Sequence, residues 1–120
     1  MFKVMMLLKA QKLYLLPDQR EAIKEVKALL QSRFPVEELM VFGSAARGEA
    51  AEESDLDLLV LTSRPMSHSE KHAISDLIFE VNLSRGTNIS ILVVDRKTWE
   101  TGLWSLLPIH QEIIRDGVTI

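Results

Sequence analysis

The chain has 120 residues, 47% of them apolar, no cysteine, a formal charge of −3 and a pI near 5.6. That is enough apolar content for one compact domain with its own core, and it excludes disulfide staples and thiolate metal sites. The acidic balance argues against general affinity for nucleic acid, whose phosphates are met by a basic face, so an anionic ligand needs local help.

A single domain is expected over residues 1–120, with 1–16 as an N-terminal extension. Met1 to Leu16 is apolar, but Lys3, Lys9 and Lys12 interrupt it before it reaches the roughly 20 residues of a membrane span. Its longest apolar run, Val4 to Leu8, is too short for a signal peptide and no small-residue cleavage site follows. The expectation is a cytoplasmic protein whose first segment packs as an extra strand or helix on the domain or on a partner subunit.

Pro17 and Asp18 open a helix, with Asp18 placed to cap it and Glu21 to complete a capping box. Ile23, Val26, Leu29, Leu30 and Phe34 recur at helical spacing as its core face, and Pro35 ends it. Leu39 to Phe42 is a short buried strand closed by Gly43. Ala45 to Ala51 is rich in helix formers, which predicts the start of a helix after Ser44. Glu52 to Ser54 is an exposed connection, and Asp55 to Thr62 resumes as a strand. Ser67 and Glu70 form a second capping box. The stripe Ile74, Leu77, Ile78, Val81 then predicts a crossover helix that Gly86 stops. Ile89 to Val94 is a β-branched strand, and Pro108 begins a last helix carrying Ile109, Ile113 and Ile114 up to Gly117. The order predicts an α/β (α+β) fold: a small mixed sheet of three or more strands with helices mainly on one face.

The chemistry concentrates between Phe42 and Asp57. Gly43 lacks a Cβ and lets backbone N–H groups approach a ligand, and Ser44 adds a hydroxyl donor, a combination that suits phosphate. Asp55 and Asp57 stand two apart at a strand start, so both carboxylates face one side while Leu56 turns to the other. At about 6 to 7 Å and an effective dielectric of about 20, their repulsion costs roughly 2 to 3 kcal/mol. A divalent cation reverses that cost. Mg2+ takes one or two carboxylates plus phosphate oxygens, which a phosphate turn facing an Asp pair provides.

Gly43-Ser44, ten intervening residues, then Asp55-Leu56-Asp57 resembles the signature of the nucleotidyltransferase superfamily that includes DNA polymerase beta. Arg47-Gly48 completes its Gly-Ser-x-x-Arg-Gly form. The chain resembles the minimal nucleotidyltransferases, or MNT domains, including antitoxins paired with HEPN-domain toxins. The likeness runs from Asp18 to Ile120 and includes the tail Leu-Pro-Ile-His…Ile-Ile-Arg-Asp-Gly-Val. It implies that Gly43 and Ser44, with Arg47 assisting, hold the phosphates of ATP or another NTP. It also implies that Asp55 and Asp57 are catalytic and bind Mg2+, or Mn2+ in its place. For Arg47, pairing with Glu49, Glu52 or Glu53 is an equal alternative. The implied reaction is transfer of a nucleoside monophosphate, AMP from ATP, to a hydroxyl of a HEPN-domain partner protein, with homo-oligomers left open and no membrane or general nucleic-acid binding.

The sequence departs from the resemblance on the later strand. Active superfamily members usually place a third carboxylate there, and this chain offers Asn88 and Ser90 as its only substitutes on that face. Neither is a useful base, and neutral oxygens hold a second Mg2+ less well. Asp95 lies on the opposite face, about 16 Å along the strand by its rise, and reads as a strand-end cap. Glu80 reads as solvated. His68, His72 and His110 lack ligand spacing and read as surface residues, and Trp99 and Trp104 read as packing or interface anchors. Two alternatives therefore stand beside the enzyme: a binding module of the same fold with impaired catalysis, and a small-molecule transferase resembling the aminoglycoside-modifying enzymes.

Overall fold

The computed structural model describes Leu13, residues 15–48 and residues 55–120. The first twelve residues of the extension, Tyr14 and residues 49–54, which hold the end of the predicted Ala45 to Ala51 helix start, the Glu52 to Ser54 connection and the three glutamates weighed as partners of Arg47, lie outside the described residues.

Helix α1 (Pro17–Arg33) begins at the N-cap Leu16. Its cap differs from the expected one: the buried Gln19 side chain accepts the Leu16 backbone N–H at 2.9 Å. Pro17 has already fixed the first helical φ and needs no N–H partner, so neither Asp18 nor Glu21 takes the capping role. Ala22, Ile23, Val26 and Leu30 are buried, which leaves the charged residues of the helix toward solvent.

Strands β1 (Val36–Phe42), β2 (Leu56–Thr62), β3 (Ile89–Asp95) and β4 (Val118–Thr119) form one sheet in the order β3-β2-β1-β4. β1 pairs antiparallel with β2 and β4, and β2 pairs parallel with β3, so the sheet is mixed as the element order requires. The parallel step needs a crossover, supplied by α2 (His68–Arg85). The Ser67 hydroxyl accepts the Glu70 N–H at 3.1 Å and the Glu70 carboxylate accepts the Ser67 N–H at 2.9 Å, which is the predicted capping box. Gly86 closes the helix at φ +66°.

The uninterrupted apolar run of β2 follows from its position, because it is covered on both faces. Leu56, Leu58 and Val60 face the larger core with Ala22, Val26, Leu30, Ile74 and Ile78 of the two long helices. Leu59 and Leu61 face a smaller cluster with Trp99 and Ile113. Each fully buried leucine contributes roughly 2 kcal/mol of transfer free energy. The long helices thus cover one face as expected, and the tail covers part of the other.

That tail contains more structure than its sequence announces. Asp95 ends β3 and caps the short helix α3 (Arg96–Thr101), its carboxylate accepting the Thr98 N–H at 3.0 Å. A 3-10 turn (Leu103–Leu106) leads to α4 (Pro108–Asp116). Of the three isoleucines that α4 carries, only Ile113 is fully buried, whereas Ile114 is 53% exposed. Gly117 ends α4 through close approach: a Cβ there would lie 2.9 Å from the Met40 side chain. Among the described residues, no helix is long and apolar enough to cross a membrane.

Candidate active site

The side-chain alternation of β2 sends Asp57 to the same face as Leu59 and Leu61, the face covered by α4. Asp55 precedes the strand on that side. Residues 43–48 form hydrogen-bonded turns instead of the predicted helix: Arg47 N–H is shared between the Gly43 and Ser44 carbonyls at 3.3 and 3.1 Å, and Gly48 N–H meets the Ala45 carbonyl at 3.2 Å. Gly43 and Gly48 both sit at positive φ, so the chain reverses before a helix can propagate, while Ala45 and Ala46 bury their methyl groups.

The turn folds back directly onto the acid pair. Phe42 pairs with Asp57 across the β1/β2 ladder, and Gly43 has φ +76° with space for a Cβ denied by Asp57 Oδ2. A cavity of about 280 Å³ opens there, lined by Gly43, Ser44, Arg47 and Asp57 on the sheet side and by Ile109, Glu112, Ile113 and Asp116 of α4. Four of the predicted residues therefore meet at one cavity. Sequence reading missed its far wall, although Glu112 and Asp116 stand four apart, near one helical turn, and share a face of α4.

The register of β3 sets the remaining neighbours. Asp57 lies beside Ser90, and the Asn88 amide Nδ2 donates to Asp55 Oδ1. Asn88 is held by its backbone, its carbonyl accepting Leu56 N–H at 2.9 Å, and its two chain neighbours are held by Asn82. The Asn82 side chain donates to Ile89 O at 3.1 Å and accepts from Ile89 N–H at 2.9 Å and from Thr87 Oγ1 at 3.0 Å. The end of α2 is thereby stitched to the start of β3, a device with no signal in the local sequence.

Burial, followed by the charge of Asp55, pushes the Asp57 carboxyl above its ordinary range. This is the electrostatic state that a cation would relieve. Among the described residues no third acidic or histidine side chain joins the pair to make a protein-only metal cage. Two carboxylates fit Mg2+ or Mn2+ when the remaining ligands arrive on a phosphate, so Asp55 and Asp57 could hold such an ion in that way.

Other residues lie elsewhere. Asp95 is at the opposite end of the β2/β3 ladder beside Thr62, its carboxyl lowered by the Thr98 backbone N–H. His72 pairs with Asp76 at 3.3 Å on the exposed side of α2, and Glu80 is exposed. His110 is not simply a surface residue, because its ring packs 4.4 Å from that of the buried Trp99. Trp104 adds a second ring at 6.4 Å, so the tryptophans pack the tail onto the sheet.

The site can be compared with known proteins. A Methanocaldococcus jannaschii protein provisionally named a protein adenylyltransferase is 27% identical over 103 residues, covering 83% of this chain and 95% of its own. A solved structure provisionally described as a minimal nucleotidyltransferase superposes with a TM-score of 0.59 at 26% identity, covering 84% of this chain and 91% of that one. The crystal structure of a toxin-antitoxin with AMP-PNP shares the fold, with a TM-score of 0.57 at 14% identity over 87% of this chain and 72% of that one. The model of the Nucleotidyltransferase domain matches residues 23–114, most of the chain and all of the turn and acid pair, and the chain belongs to that family.

Proposed function

We propose that this nucleotidyltransferase moves AMP from ATP to a hydroxyl of a partner protein, acting as an MNT-type antitoxin whose partner carries a HEPN domain. The observation that carries the reading is the shared cavity: the Gly43-Ser44 turn and the Asp57 carboxylate open onto the same space. The name of the M. jannaschii relative supports a protein acceptor. The toxin-antitoxin neighbour with AMP-PNP supports ATP and a toxin partner.

In this mechanism Gly43 and Ser44 hold the terminal phosphates through backbone and hydroxyl donors, and the Arg47 guanidinium meets a phosphate oxygen. Asp55 and Asp57 would hold Mg2+ or Mn2+ together with phosphate oxygens of the nucleotide. When bound, the ion supplies charge neutralisation and orientation of the triphosphate. The acceptor oxygen forms its bond to the α-phosphorus in line, the bond from that phosphorus to the bridging oxygen breaks, pyrophosphate leaves with the electron pair, and the acceptor's proton passes to water. The Asp pair and the turn fix the triphosphate for that attack, and α4 shields the cavity from one side.

With α-labelled ATP and the co-purified partner, label is expected on the partner with the wild-type chain and not with Asp55→Asn or Asp57→Asn. Undiminished labelling in both variants overturns the reading. A second reading, a nucleotide-dependent binding module without turnover, is favoured by one observation: Asn88 and Ser90 stand beside the Asp pair in place of an acid. Stabilisation of the protein by Mg2+ and AMP-PNP without transfer of label would select it.

A further inference from the structure

The neutral neighbours of the acid pair have a definite geometry, and it bears on how many ions the site holds. Asp55, as a carboxylate, only accepts hydrogen bonds, so the Asn88 amide turned toward it is the NH2 end. That contact occupies a lone pair of Asp55 Oδ1 and places a partial positive charge on the β3 side of the carboxylate. Alongside Asp57 the register places Ser90, whose hydroxyl carries no charge. The β2/β3 face thus presents the charge of two carboxylates, which one divalent ion neutralises. A second ion on that face would meet amide hydrogens at Asp55 and a neutral oxygen beside Asp57, where a hard cation seeks a carboxylate.

Resting on the nucleotidyl-transfer reading, we infer that the site takes a single divalent cation with its nucleoside triphosphate, and that Asn88 is a positioning residue that fixes Asp55 for that ion and keeps a second one out. Asn88 does not touch the reacting atoms. It acts through the orientation of Asp55, held in turn by the Asn82 contacts that set the start of β3. A consequence is that the acceptor's proton leaves without help from a carboxylate on β3.

Mn2+ titrations followed by electron paramagnetic resonance, at saturating AMP-PNP on the full chain, count the ions without requiring turnover. The wild type is expected to bind one Mn2+ per chain. Asn88→Asp is expected to bind two, and Asn88→Ala one, with affinity weakened about three- to tenfold and an unchanged melting temperature without metal. Two ions on the wild type overturn the inference while leaving the nucleotidyl-transfer reading intact. So does an unaltered Mn2+ affinity in Asn88→Ala, or a single ion on Asn88→Asp. Failure of the wild type to bind AMP-PNP at all overturns the parent reading and the inference with it.

Discussion

Gly43 and Asp57 are built against each other: a Cβ on Gly43 would stand 2.5 Å from Asp57 Oδ2, at a backbone φ of +76°. The Gly43-Ser44 turn and the Asp57 carboxylate are therefore packed as one unit, and neither can be altered in isolation. Gly43→Ala combines left-handed strain with a clash against a charged oxygen, and should cost at least about 2 kcal/mol. Urea denaturation should report that loss, and thermal shift should report the loss of stabilisation by Mg2+ and AMP-PNP. An alanine variant that keeps both would refute the coupling.

The raised Asp57 pKa fixes a direction for stability without metal. Because the folded chain holds this proton more tightly than the unfolded one, the group's contribution is best below the ordinary value of 3.8 and is lost as pH rises through the raised value. Asp57→Asn removes that loss. Its metal-free form should be more stable than wild type at pH 7, with no further stabilisation by Mn2+. Melting curves from pH 3.5 to pH 7, with and without Mn2+, measure both effects.

Glu70 behaves in the opposite sense. The Arg64 guanidinium, joined by the Ser67 backbone N–H, pulls its carboxyl from 4.5 down to about 2. Its contribution is complete above the ordinary value and disappears as pH falls from 4.5 toward 2. Glu70→Gln should therefore flatten the acid limb of the stability curve and fray the first turn of α2. Amide exchange across residues 68–72 resolves that fraying from global unfolding.

Arg96 joins three carboxylates: Nε to Glu37 at 2.7 Å, Nη2 to Glu38 at 3.0 Å and Nη1 to Glu100 at 3.3 Å. Glu38 also accepts from Thr119 Oγ1 at 2.9 Å, so the cluster ties α3 to β1 and β4. Arg96→Met should cost under about 1 kcal/mol, the scale of exposed pairs, and the cost should shrink in 1 M salt. A loss insensitive to salt would locate the effect in packing.

Glu112 lines the cavity opposite Ser44 and Asp57, where its charge opposes a triphosphate. Glu112→Gln should tighten AMP-PNP binding about two- to tenfold by calorimetry, the effect fading with ionic strength. Weaker binding would mean that the carboxylate contacts the nucleotide directly.

The long helices, the three main strands and the Gly43-Ser44…Asp55-Asp57 motif were legible because each rests on local periodicity, capping or turn chemistry. Pro17 displaced the Asp18 cap because a proline start needs less capping, and Gly43 and Gly48 overrode the helix propensity of Ala45 and Ala46. The α4 wall and the Asn82 stitch were hidden for another reason. Glu112 comes to the same cavity as Ser44 only after the chain has crossed the sheet, the Asn82 bonds span only five to seven residues but depend on how the end of α2 meets β3, and β4 is two residues long, too short for alternation to declare itself.

The two cores meet at β2, and they are unequal. The floor of the cavity belongs to a sheet held by both long helices, while its wall, α4, fully buries only Ile113, with Ile109 half-buried beside it and the His110 ring against Trp99. With so little fully buried apolar surface, α4 is expected to open locally before the sheet does, and amide exchange across residues 108–116 compared with residues 56–62 measures the difference. Asp57 sits on the sheet side of the cavity, so such an opening would widen the pocket and leave that carboxylate in place.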